Sequence, residues 1–208
     1  ARRARLGEED AGRIAERFGR YDHRTDMPDN PLWIHAVSVG ETVAGIALAE
    51  AIRKTGETAP ILMTTNTVTA AARVAALPAS LGVTHLYQPL DHPDMVAAFL
   101  HRIQPRIGLF LESDFWPTLI KATEAGGVPV AFVSAQVSDR AAARWKKSGA
   151  KSRAMFGAAR LVLAVDEAQA QRFVSLGAEP EAVQVSGSLK LPVAAGKPDK
   201  SYVAMLRR

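Results

Sequence analysis

Leu32-Trp33-Ile34-His35-Ala36-Val37-Ser38-Val39-Gly40-Glu41 is the stretch that decides the fold. Trp33, Ile34 and Val37 have the bulk of a buried strand, and Val39-Gly40 lets the chain turn closely. The residues from Thr42 to Lys54 are rich in Ala, Ile and Leu, with Val43, Ile46, Ala47 and Glu50 at helical spacing. A strand running straight into a helix is the unit of an open α/β sheet, and its corner faces the crevice where such sheets take ligands. Ser38, Gly40 and Glu41 occupy that corner. Two readings of Glu41 stay open: a ligand-facing carboxylate, or one that only complements the positive end of its own helix.

Outward from this unit the pattern repeats. Expected strands at 60–64, 84–87, 107–111, 128–133, 161–165 and 183–185 alternate with expected helices at 68–77, 95–103, 116–125, 139–156 and 167–176. Segment 107–111 is almost wholly apolar, as in a strand covered on both faces. About seven such strands predict a Rossmann-like α/β fold, with a mostly parallel sheet, helices on both faces and right-handed crossovers. Residues 31–191 form this unit. Residues 1–30 precede it as a short amphipathic helix, with Ile14 and Phe18 four apart, and a connecting loop; the leader either packs on the domain or attaches to anionic lipid. Residues 192–208 are poor in bulky apolar side chains and have the character of a linker or tail.

The chain has 208 residues, enough for one good-sized core. It has no cysteine, which excludes disulfides, thiolate metal sites and cysteine nucleophiles. The net charge of +5 favours an anionic partner. Nucleic acid is the weaker choice, because no recognition module or regular aromatic platform is present. Neither GxGxxG nor GxxxxGK[ST] occurs. His23, His35, His85, His92 and His101 have no metal-binding spacing, and His35 reads as a structural histidine within its strand. Asp91-His92 reads first as a turn before Pro93.

Three strand ends carry polar clusters. Thr64-Thr65-Asn66-Thr67 can cap exposed N–H groups or bind sugar hydroxyls and phosphate oxygens. Glu112 and Asp114 lie two apart before Trp116-Pro117, where they can line a polar ligand site or hold an arginine. Ser134-Ala135-Gln136-Val137-Ser138-Asp139-Arg140 ends the fifth strand and opens a basic run. Arg140, Arg144, Lys147 and Lys151 follow the spacing of one helix face, and no acid falls between Arg140 and Arg160. That face is expected to meet phosphate or an anionic membrane, with Trp145, Met155 and Phe156 as apolar contacts; a solvated face, with Trp145 in the core, is the other reading.

In this order, His35 to Glu41, Thr64 to Thr67, Pro105 to Glu112 with Phe115-Trp116-Pro117, Ser134 to Arg140, Phe173 to Ala178 and Val185 to Lys190 resemble the amino-terminal domain of the bacterial 3-deoxy-D-manno-octulosonic acid (Kdo) transferases. The resemblance implies one half of a GT-B architecture. The chain would handle a lipid A precursor as acceptor, while a carboxyl-terminal domain would hold most of the site for the donor substrate, CMP-Kdo. It implies no metal or other cofactor, and a peripheral position at the cytoplasmic face of the inner membrane. Glu41 aligns with the family's proposed general base. Ser38, Gly40, Thr64, Thr65, Glu112, Asp114, Ser134, Ser138 and Arg140 are the expected acceptor-binding residues. Arg144, Lys147 and Lys151 are the expected membrane or phosphate contacts.

Three departures from the family pattern bear on the acceptor. Ser113-Asp114 stands for the usual Thr-Glu, Gln136 for the arginine of Asn-Ala-Arg-Leu-Ser, and Ser188 for the asparagine of Gly-Asn-Leu-Lys. Loss of that arginine removes about 1–3 kcal/mol of interaction with an anionic group. A divergent acceptor, or a non-catalytic lipid- or sugar-binding domain, are the alternatives to the transferase reading. As a single domain the chain is expected to be inactive.

Overall fold

A computed structural model describes residues 9–189. The expected tail at 192–208, and Arg2, Arg3, Arg5 and Lys190, lie outside the described residues. Seven parallel strands form one sheet: β1 (Leu32–His35), β2 (Ile61–Thr65), β3 (Val83–Tyr87), β4 (Ile107–Leu111), β5 (Val130–Ala135), β6 (Leu161–Ala164) and β7 (Val183–Val185). Their order is β3-β2-β1-β4-β5-β6-β7. The chain leaves β1 toward β2 and later returns to β1's other edge as β4, so the order reverses at the β1–β4 pair. Helices α1 (Ile14–Arg17), α2 (Val39–Lys54), α3 (Val68–Ala75), α4 (Pro93–Ile103), α5 (Pro117–Ala125), α6 (Asp139–Lys147), α7 (Ala150–Phe156) and α8 (Glu167–Leu176) complete the described unit.

Alternation along the strands builds two cores. Trp33, Phe110 and Phe132 point to one face, under Phe99 of α4, Leu119 of α5, Phe156 of α7 and Phe173 of α8. Ile34, Leu109 and Val133 point to the other, which α2 and α3 cover with Ala44, Ala49 and Val74. At Gly45 of α2 an added Cβ would lie 3.3 Å from Ile34, Met63 and Leu111, so the glycine permits close contact between helix and sheet.

Two local expectations are corrected. The leader forms a short 3-10 turn (Ala11–Arg13) followed by α1, and its burial is inverted: Ile14 and Phe18 are exposed, while Glu16 and Arg17 are buried. The reason is hydrogen bonding. The Glu16 carboxylate is held by Arg13 and Arg24, each at 2.8 Å, and accepts the Tyr87 N–H at 2.8 Å. Arg17 donates to the carbonyls of Asn66 (2.7 Å) and Gln88 (3.1 Å), beyond the ends of β2 and β3. The expected helix at 139–156 is two helices, broken at Ser148-Gly149 where Gly149 takes φ +46°. Lys151 therefore lies on a different helix from Arg140, Arg144 and Lys147.

Candidate active site

Glu41 is the third residue of α2, and its position is set from both ends. Ser38 caps the helix with its Oγ accepting the Glu41 N–H (3.3 Å), while Glu41 Oε2 accepts the Ser38 N–H (2.7 Å). This reciprocal box fixes the carboxylate at the turn after β1. Glu41 is only 6% exposed. One oxygen thus serves the helix, as in the second sequence reading, and the carboxylate also engages the loop after β4.

That loop brings Asp114 against Glu41, beside the sheet's point of reversal. Burial pushes the Asp114 carboxyl up to about 8; a hydrogen bond with Glu41 and the negative charges of Glu41 and Glu112 push the same way, against the hydrogen bond from the Val37 backbone. The raised carboxyl favours the protonated form of Asp114 beside Glu41. Neutralising one acid in this way lets the pair share a buried site.

Glu112 is also buried, and its backbone takes the left-handed conformation (φ +57°). Ser134, one strand over, does the same (φ +54°). Such backbone is unfavourable for residues with a Cβ, and it concentrates at functional sites. The β5–β6 register shifts between Val133 and Ala135, next to this point. Gln136 donates its side-chain N–H to Glu112 Oε2 at 3.4 Å. Gln136 thus supplies a neutral donor to the Glu112 carboxylate.

Other expected site residues turn away. Thr64 is fully buried, with its hydroxyl accepting the Trp33 indole N–H (2.8 Å) and bonded to His35 Nδ1 (2.8 Å). Thr65 is equally buried and bonded to His85 Nε2 at 2.9 Å. Their side chains serve the core, so the expected acceptor contact is not available to them. Burial drives both His35 and His85 down to about 3, leaving both neutral; nearby arginine charges add to the effect at His85. Ser134 is buried as well, its Oγ accepting the Leu189 N–H at 3.2 Å. Asp91 accepts the Thr118 and Leu119 N–H groups at the start of α5, a structural cap.

Ser38, Gly40, Ser138 and Arg140 are exposed near the carboxyl ends of the strands, and Ser138 caps α6. Arg144, Lys147 and Lys151 are exposed too, but Met155 and Phe156 are buried, which removes them as surface contacts. Trp145 is partly buried against Phe156. Gln169 had no signal in the sequence: it reaches from α8 to accept the Val137 N–H at 2.7 Å, holding the turn after β5. Among the described residues no group of three or more His, Cys, Asp or Glu side chains is arranged to hold a metal ion, and no helix is long and apolar enough to cross a membrane.

Comparison with known proteins decides the family. Residues 12–193 match the model described as 3-deoxy-D-manno-octulosonic-acid transferase (kdotransferase). The chain belongs to the Kdo transferase family. It is 40% identical over 187 residues to the 3-deoxy-D-manno-octulosonic acid transferase of Bordetella pertussis, covering 86% of this chain and 42% of that protein. The Haemophilus influenzae enzyme of the same name is 32% identical over 178 residues, with the same coverage of both chains. A probable mitochondrial 3-deoxy-D-manno-octulosonic acid transferase from Arabidopsis thaliana is 32% identical, covering 90% of this chain and 42% of that one. The chain thus spans about two-fifths of the length of these Kdo transferases. Among solved structures, the UDP-GlcNAc 2-epimerases of Neisseria meningitidis (TM-score 0.56, 12% identity) and Methanocaldococcus jannaschii (TM-score 0.54, 15% identity) share the fold. They cover 77% and 76% of this chain, which in turn covers 47% and 45% of them, in keeping with one half of a GT-B architecture.

Proposed function

We propose that this chain is the acceptor-side domain of an inverting Kdo transferase, with Glu41 as general base. In this reading Glu41 takes the proton from a hydroxyl of a lipid A precursor as that oxygen attacks the anomeric carbon of CMP-Kdo. The new glycosidic C–O bond forms on the face opposite the departing CMP, whose phosphate carries away the electrons of the broken bond. The donor is held by a carboxyl-terminal domain, and no metal takes part. The observation that carries the proposal is the buried Glu41–Asp114 pair at the sheet's reversal point. The contact with Asp114 and the capping box fix the position of Glu41, and fixed geometry contributes much of the rate when the base is a carboxylate.

The same reading puts the enzyme at the cytoplasmic face of the inner membrane as a peripheral protein. Ile14, Phe18 and Leu90, each more than a third exposed, support an apolar contact beside the crevice, with Lys147 and Lys151 adding attraction to anionic headgroups. The test of the catalytic proposal is Glu41→Gln in the chain assembled with a donor-binding domain. Gln also serves the capping box, so the fold is retained. Transfer from CMP-Kdo is expected to fall by about 10²–10⁴-fold; near-normal transfer would remove Glu41 from the base role.

A further inference from the structure

At the amino ends of β5 and β6, across the sheet from the carboxylates, lies an open cavity of about 330 Å³. Its size is that of a site for a small molecule. Two helix-to-strand turns enclose it, the one from α5 into β5 and the one from α7 into β6. Val130 and Ala159 are its buried lining, and Val128 and Pro129 add a half-buried apolar wall. An added Cβ at Gly157 would lie 2.8 Å from the Arg153 carbonyl oxygen and 3.1 Å from that of Gly177, so no side chain fits there without a backbone shift. At Gly127 (φ +78°) an added Cβ would meet nothing within 4 Å, which marks the open side of the cavity.

The lining carries one charge of each sign, Glu124 and Arg160. Both side chains are exposed, and among the described residues neither makes an ion pair, with the other or with a third group. The placement of Glu124 does nothing for its own helix. It sits in the last turn of α5, where unmet carbonyls make the local field negative and a basic side chain is the favourable choice; α5 has no basic residue in that turn. The carboxylate and the helix end therefore add together as a place for a cation. Arg160, from the other turn, offers an anion its forked N–H donors.

We infer that this cavity binds a small zwitterion, of the size of an amino acid or a dipeptide, whose ammonium pairs with Glu124 at the end of α5 and whose carboxylate pairs with Arg160. A ligand carrying both charges satisfies the two side chains at once, whereas a singly charged one leaves the other unmet. A short apolar side chain of the ligand rests on Val128 and Pro129. The site is separate from the crevice and from the transfer reaction. The six residues of β5 lie between the cavity and Gln136, a span of about 20 Å.

The experiment titrates the 208-residue chain with L-alanine, L-alanyl-L-alanine, ethylammonium and propionate, following the backbone amide resonances of Gly127, Ala158 and Arg160 by NMR. A saturable shift is expected with at least one of the two zwitterions, about tenfold tighter than with either singly charged probe. Saturation by alanine fits the site to a single amino acid, and saturation by the dipeptide alone fits it to a wider separation of the charges. Arg160→Gln should weaken zwitterion binding to the level of ethylammonium, and Glu124→Gln to the level of propionate. Both side chains are exposed, so the amide resonances of the core should stay in place in either variant. No saturable shift with either zwitterion, a singly charged probe binding as tightly, or either variant binding like the parent would overturn the site. Shifts at the Gln136 and Gln169 amides in place of those at the cavity would move the ligand to the crevice and overturn it as well.

Discussion

At the carboxyl edge of the sheet, the ends of β2 and β3 are closed by the leader, whereas the ends of β1, β4 and β5 are open. On the closed side Arg17 takes two strand-end carbonyls, Glu16 is held by two arginines and a backbone N–H, and Thr64 and Thr65 are bonded to buried rings. On the open side two residues hold left-handed backbone, a carboxyl is pushed up chiefly by burial and further by its acidic neighbours, and an arginine, Arg144, faces a crevice cavity without an acid. Both sides are built from short polar residues at strand ends. The difference is that the leader covers the strand ends on one side, whereas on the other the backbone is held in a strained conformation of the kind that concentrates at functional sites.

The largest structural effect expected is on the closed side. Glu16→Ala leaves Arg13 and Arg24 without their shared carboxylate and the Tyr87 N–H without its acceptor. Both arginines retain some solvent access, so the loss falls at the low end of that for breaking a buried pair, about 3 kcal/mol. Thermal unfolding should then drop by about 10 °C, with transfer by the folded fraction of the assembled enzyme unchanged. A Tm unchanged by Glu16→Ala would mean that the leader does not close that edge.

A pH-dependent effect marks the open side. Asp114 has its carboxyl raised from 3.8 to about 8, chiefly by burial, so the folded state favours its protonated form. Its stabilising contribution is fully present below about pH 3.8 and is lost as pH rises through about 8. Asp114→Asn still offers a donor to Glu41 but does not titrate. Urea unfolding at pH 5, 7 and 9, values spread about that window, should show a flatter decline for the variant than for the parent. Parallel curves would show that Asp114 is not held protonated.

The smallest effect is at the outer surface. Removing one charge by Lys147→Gln should weaken binding to phosphatidylglycerol vesicles by about 1 kcal/mol, and added salt should erase the difference. Co-sedimentation that is indifferent to both changes would leave Lys147 with solubility alone.

Much of this was legible in the sequence. The alternation of apolar strands and helices specified the parallel sheet, and the turn after Val37 located Glu41. The charge spacing of Glu112 and Asp114 pointed to the open side. The closed side was not legible, because Thr64-Thr65 and Glu112-Asp114 are both polar strand ends, and what separates them is Arg17 and Glu16, far away in the chain. Ile14 and Phe18 have the spacing of a packing face, yet unmet carbonyls and an N–H at the strand ends draw in the opposite, charged face. The division of α6 from α7 turns on Gly149, a single left-handed residue inside a run of helix-forming Ala, Arg and Lys.

The most direct measurement compares Glu41→Gln and Glu16→Ala in the same assembled enzyme, reading the transfer rate and the Tm of each. The account predicts that Glu41→Gln loses about 10²–10⁴-fold in rate while its Tm stays near the parent's, and that Glu16→Ala loses stability while the folded fraction keeps its rate. Glu41→Gln with near-parent transfer, or with a rate loss that follows only from unfolding, would contradict it.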